Sequence, residues 1–169
     1  MEKRIFLLGY MGSGKTTIGK MLAERIGFAF FDTDKSIEAK RQKSVSQIFE
    51  EEGEAAFREL ERKCLHELAE FEDVVISTGG GAPCFFDNMQ YMKERGSTVY
   101  LKWTVDELAR RLESDKFNKR PLLAQRKGAE LESFISEGLA KRETTYLQAD
   151  IIVSGSEEEI LAQVIEKLD

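Results

Sequence analysis

The run Arg4 to Leu8 is interrupted by Gly9-Tyr10-Met11-Gly12-Ser13-Gly14-Lys15-Thr16, and an amphipathic stretch follows at once. No other feature restricts the chain as strongly, because GxxxxGK[ST] between a buried strand and a helix is the spacing of a phosphate-binding P-loop. Its glycines let the backbone curl so that successive N–H groups turn inward on phosphate oxygens. The helix that opens inside the motif presents its positive end to the same anion. Lys15 adds a full charge on the outer phosphates, and Thr16 offers a hydroxyl to magnesium. The competing reading, a glycine-rich turn with no ligand, does not account for the strand before the motif and the helix after it.

The alternation that begins there continues along the chain. Ile18, Met21, Leu22 and Ile26 recur at helical spacing and Gly27 stops them. The pattern predicts short buried strands at 28–31, 74–76, 98–103 and 151–153. Ser44 with Gln47, Thr104 with Glu107 and Ser156 with Glu159 predict capping boxes. After Gly53, a helix carries Phe57, Leu60, Cys64 and Leu68 on one stripe, and another is expected over 128–147. Between Ser114 and Gln125 the chain is polar, basic and contains Pro121, which reads as a mobile loop. Five strands alternating with helices imply an α/β fold, a three-layer α/β/α arrangement with a five-stranded parallel sheet. No linker divides residues 1–169, so a single domain is expected. Ligands should lie at the carboxyl ends of the strands.

Composition removes some functions. Net charge is -6, so the chain has no general attraction to nucleic acid or anionic membranes. Two basic residues, Lys3 and Arg4, precede the first apolar run, as in a signal peptide, but that run is short, breaks at Gly9 and has no small-residue cleavage site. No stretch is long enough to span a bilayer. The expectation is a cytoplasmic monomer. Cys64 and Cys84 have no metal-ligand spacing and read as reduced thiols; His66, in a charged helical stretch, reads as a surface residue.

The remaining chemistry gathers at strand ends. Asp32 and Asp34 follow the second strand. Asp32 is placed to hold magnesium through a water, and Asp34 to accept hydrogen bonds from an acceptor hydroxyl; either is equally suited to cap a helix. Thr78-Gly79-Gly80-Gly81 follows the third strand and leaves backbone N–H groups open to a close ligand. Arg58 lies at the edge of a helix stripe, where arginine is usually solvated. Arg142 near a helix end is suited to the helix dipole. Arg120, in the polar loop, is placed to swing onto phosphates as a lid closes. A GTPase would need a DxxG motif, and none occurs. A small-molecule kinase fits better than a regulatory nucleotide-binding protein; gluconate kinases and nucleoside monophosphate kinases are the rivals within that class.

Gly12-Ser13-Gly14-Lys15-Thr16, Phe31-Asp32-Thr33-Asp34, Phe57-Arg58, Thr78-Gly79-Gly80-Gly81, Arg120-Pro121-Leu122-Leu123 and Lys141-Arg142 together resemble the shikimate kinase family over nearly the whole chain. The resemblance implies transfer of the ATP γ-phosphate to the 3-hydroxyl of shikimate, in aromatic amino acid biosynthesis, with magnesium as cofactor. It implies an acceptor-binding helical region at about 33–60 and a lid at about 113–125. Lys15, Asp34 and Arg120 would be catalytic. Gly12, Ser13, Gly14, Lys15, Thr16, Thr17 and Arg120 would hold ATP, with Thr16 and Asp32 at the metal. Asp34, Arg58, Gly80 and Arg142 would bind the acceptor, in a pocket lined by Phe49, Phe57, Gly79 and Gly81.

Overall fold

A computed structural model describes residues 3–114 and 126–169. Strand β1 (Arg4–Leu8) runs up the middle of a five-stranded sheet. It lies between β3 (Val74–Ser77) and β4 (Ser97–Leu101), with β2 (Ala29–Asp32) outside β3 and β5 (Ile151–Val153) outside β4. Every neighbouring pair is parallel. The chain thus leaves the central strand in both directions, and the switch point falls beside the carboxyl end of β1, where such sheets open a crevice.

Alternation along the strands divides the core. Phe6 and Leu8 face one side with Val74, Ile76 and Tyr100; Ile5 and Leu7 face the other with Val75, Val99 and Leu101. The second side is covered by α1 (Lys15–Ile26) and α7 (Glu157–Leu168), through Ile18, Leu22, Ile160 and Val164. The first is covered by α3 (Val45–Leu68), α4 (Asn88–Arg95), α5 (Val105–Glu113) and α6 (Gly128–Tyr146). A short helix, α2 (Thr33–Arg41), joins β2 to α3. All three expected capping boxes are present. Gly53 interrupts α3 with φ 86° and ψ 170°, a conformation open to glycine and costly for other residues.

Two boundaries moved for identifiable reasons. The second strand starts at Ala29 rather than Phe28, because Phe28 N–H closes α1 by donating to Ala23 O at 2.8 Å. The fourth ends at Leu101 rather than Trp103, because Trp103 leaves the sheet to bond the P-loop. Helix α4 and the 3-10 turn Ala82–Cys84 carry no sequence signal that stands out: α4 has eight residues, and Met89 and Met92 are its only buried hydrophobics.

Strand register delivers the site. Leu7 and Asp32 both pair with Ser77. Three adjacent strands therefore end close to one level, and the segments that follow them, the loop from Gly9, helix α2 from Thr33 and the turn from Thr78, all contribute to one cavity. Thr78 N–H and Oγ1 both donate to Leu7 O, at 3.2 and 2.9 Å. Gly79 N–H donates to Thr33 Oγ1 at 3.1 Å. These bonds tie the end of β1, the start of α2 and the glycine turn together.

Candidate active site

Gly9, Gly12 and Gly14 take φ of 155°, 81° and 83°, and Gly14 is the N-cap of α1. Two residues to which the sequence assigned no site role brace this curl. Trp103 Nε1 donates to Ser13 O at 2.9 Å. Arg111, stacked 4.6 Å over the Trp103 ring, donates from Nε to Gly12 O at 2.6 Å. Lys15 Nζ reaches Gly9 O at 2.7 Å and Tyr10 O at 3.1 Å. Ser13 is fully buried beneath the loop.

Asp32 uses its two oxygens differently. Oδ1 accepts the Lys35 N–H at 3.1 Å and caps α2; Oδ2 accepts from Thr16 Oγ1 at 2.9 Å. The cap and the phosphate-side role are thus compatible in one carboxylate.

A cavity of about 920 Å³ opens over these groups. Gly12, Gly14, Lys15, Thr16, Thr17 and Asp32 line one part of it; Asp34, Phe49, Phe57, Arg58, Gly79, Gly80, Gly81 and Arg142 line the other. Among the expected site residues Ser13 lies behind the wall, and Arg120 lies outside the described residues, as does 115–125 of the expected lid.

The glycine triplet has a steric explanation. A Cβ on Gly79 would lie 2.6 Å from Glu61 Oε2 and 3.1 Å from Asp34 Oδ1. One on Gly80 would lie 3.3 Å from Arg142 Nη1, and one on Gly81 2.7 Å from Arg58 Nη2. Each glycine gives its missing side chain's space to a different charged group. Tyr146, fully buried with its ring tilted against Tyr100 at 5.0 Å, donates its hydroxyl to Gly80 O and holds the turn in place.

Arg58 departs from the usual fate of a helix arginine. It is 8% exposed and pairs with Glu61 at 2.9 Å, itself 1% exposed. Burial pushes the Glu61 carboxyl up to about 7, against the opposing pull of Arg58. His66 is half-buried rather than on the surface, its ring stacked 3.8 Å on Tyr91.

The sequence model of the shikimate kinase family matches residues 11–169. The chain is 61% identical over 149 residues to a shikimate kinase of Parabacteroides distasonis, spanning 88% of this chain and 86% of the relative.

The chain belongs to the shikimate kinase family.

Membership of the shikimate kinase family makes it an ATP-dependent phosphotransferase. The shikimate kinase of Bacteroides thetaiotaomicron, seen by crystallography, superposes with a TM-score of 0.95 at 47% identity and 99% coverage of both chains. The shikimate kinase of Acinetobacter baumannii in complex with shikimate superposes at 0.87, with 35% identity and coverage of 98% and 92%. In this shikimate kinase fold the residues that sequence reasoning missed are Glu61, Tyr146, Trp103 and Arg111. Glu61 had one usable signal: a carboxylate three residues after Arg58, on a stripe shared with Phe57, Cys64 and Leu65. Trp103 and Arg111 had none, since their P-loop partners lie 90 and 99 residues away.

Proposed function

We propose that the chain transfers the γ-phosphoryl group of ATP to the 3-hydroxyl of shikimate. One observation carries the reading. Asp34, Arg58 and Arg142 converge on the glycine triplet in the same cavity that the P-loop lines. A small acceptor bearing both hydroxyls and a carboxylate needs that mixture of one anion and two cations, and the relative from Acinetobacter baumannii binds shikimate.

The P-loop N–H groups and the α1 N-terminus hold the β- and γ-phosphates, and Lys15 neutralises their charge. Arg58 and Arg142 grip the acceptor carboxylate, which orients the hydroxyl toward the γ-phosphorus. Asp34 accepts the hydrogen bond of that hydroxyl and takes its proton as the new O–P bond forms and the bond to the bridging oxygen breaks, releasing ADP. Thr16 and Asp32 supply the oxygen donors that magnesium prefers, and no group of three or more His, Cys, Asp or Glu among the described residues offers a competing site. When bound, the ion neutralises phosphate charge. Arg120 is the lid's contribution to the phosphates. Both cysteines are free, in keeping with a cytoplasmic enzyme, and no helix among the described residues is long and apolar enough to cross a membrane.

Release of ADP is expected to depend on shikimate and not on gluconate or nucleoside monophosphates. Equal release with either rival acceptor would overturn the assignment.

The acceptor site is also expected to respond to pH. Glu61 titrates at about 7: above that pH it is charged and holds Arg58, and below it the carboxyl is neutral and the attraction fades. The KM for shikimate should therefore rise as pH falls through about 7, with the KM for ATP flat. In Glu61→Gln the step should vanish, because a carboxylate substrate titrates only near about 4. A step that persists in this variant would assign the titration elsewhere.

A further inference from the structure

Three phenylalanine rings surround the Arg58 guanidinium, and the nearest is not a cavity residue. Arg58 Cζ lies 4.2 Å from the Phe85 centroid, against 5.4 Å for Phe57 and 5.9 Å for Phe49. Phe49 and Phe57 line the cavity and Phe85 does not, so Phe85 is placed to act on an acceptor only through Arg58.

The polar contacts of Arg58 leave its orientation incomplete. Nη1 is held by Glu61 at 2.9 Å. Nη2 reaches Glu54 only at 3.5 Å, and the Glu54 side chain is 59% exposed, which makes a weak restraint. Nε is buried with no hydrogen-bond partner. One edge of the guanidinium is thus firmly pinned, Nε and Nη2 meet only the Glu54 carboxylate at 3.5 Å, and the plane is left to the surfaces packed against it. A flat, weakly hydrated cation is steadied by an aromatic face.

Phe85 is itself held firmly. Its N–H donates to Ala82 O at 3.3 Å and its carbonyl accepts from Asn88 N–H at 3.2 Å. Asn88 is fully buried, and its Nδ2 donates to the same Ala82 O at 2.9 Å. The Gly81 backbone also packs against the guanidinium, where a Cβ would meet both terminal nitrogens of Arg58 within 2.8 Å.

We propose that Phe85 is a positioning residue for phosphoryl transfer: its ring sets the plane in which Arg58 meets the acceptor carboxylate. The inference rests on the reading of Arg58 as a carboxylate ligand.

The test is steady-state kinetics on the full chain, with shikimate as acceptor, for F85L, F85Y, R58A and the double variant R58A/F85L. F85L should raise the KM for shikimate about tenfold, leaving kcat and the KM for ATP within about twofold. F85Y keeps the ring face and should stay within about twofold of the parent. On the R58A background F85L should add less than about twofold, because the interaction it removes is already gone. Should F85L melt too low to assay, F85M fills the space without a ring and replaces it. An unchanged KM for shikimate in F85L, an equal rise in the KM for ATP, or the same tenfold loss on the R58A background overturns the inference while leaving Arg58 in place. If R58A itself leaves the KM for shikimate unchanged, the carboxylate reading of Arg58 falls, and this inference with it.

Discussion

Replacing Lys15 by alanine is expected to lower kcat by about 10³-fold or more, with little change in melting temperature. In phosphoryl transfer the protein contributes mainly position and charge, so a cation on the outer phosphate oxygens acts where charge is redistributed in the transition state. The stability cost is small because Lys15 is not alone in holding its loop. The carbonyls of Ser13 and Gly12 are bonded by Trp103 and Arg111, and the Ser13 N–H closes on Tyr10 O at 3.1 Å. Acceptor affinity should survive, since Asp34, Arg58 and Arg142 are untouched. Turnover by ADP release, shikimate binding by calorimetry and a melting curve on one preparation make the check. A kcat within about tenfold of the parent would remove Lys15 from the chemistry. Lys15→Arg should not rescue, because a planar fork does not replace a compact ammonium.

Glu61→Ala is expected to destabilise the protein by about 3–5 kcal/mol, because it strands the Arg58 charge in an almost closed site. For a chain of this length that corresponds to a fall of roughly 10 °C in melting temperature. Glu54→Ala, which removes the exposed and longer contact, should cost about 0.5 kcal/mol or less. The double replacement Arg58→Met with Glu61→Leu separates folding from function. It removes both buried charges, so stability should return close to the parent value, while the affinity for shikimate stays lost. Urea titrations of the four proteins decide the matter. A Glu61→Ala protein as stable as Glu54→Ala would mean that solvent reaches the pair and that its burial is not energetically significant.

Much of the architecture could be read locally. Helix starts at Ser44, Thr104 and Ser156 were legible because a capping box involves residues three apart. The strands were legible because buried parallel strands are short apolar runs. The P-loop was legible because its spacing reflects one ligand and one backbone shape. Asp34, Arg58 and Arg142 could be named through resemblance, yet nothing in their neighbourhoods showed that they meet. Arg58 looked like a solvated arginine because helix periodicity cannot register a glycine turn more than twenty positions away that opens a groove for it.

The sequence by itself therefore determined the local elements, their alternation and the phosphate-binding loop, all set by interactions between residues close in the chain. The tertiary structure decided the strand order β2-β3-β1-β4-β5, the register that brings Leu7, Asp32 and Ser77 to one level, the burial of the Arg58–Glu61 pair and the ring of Phe85 against that arginine. Those features depend on which distant surfaces pack together, and local hydrophobic patterning carries no record of the partner.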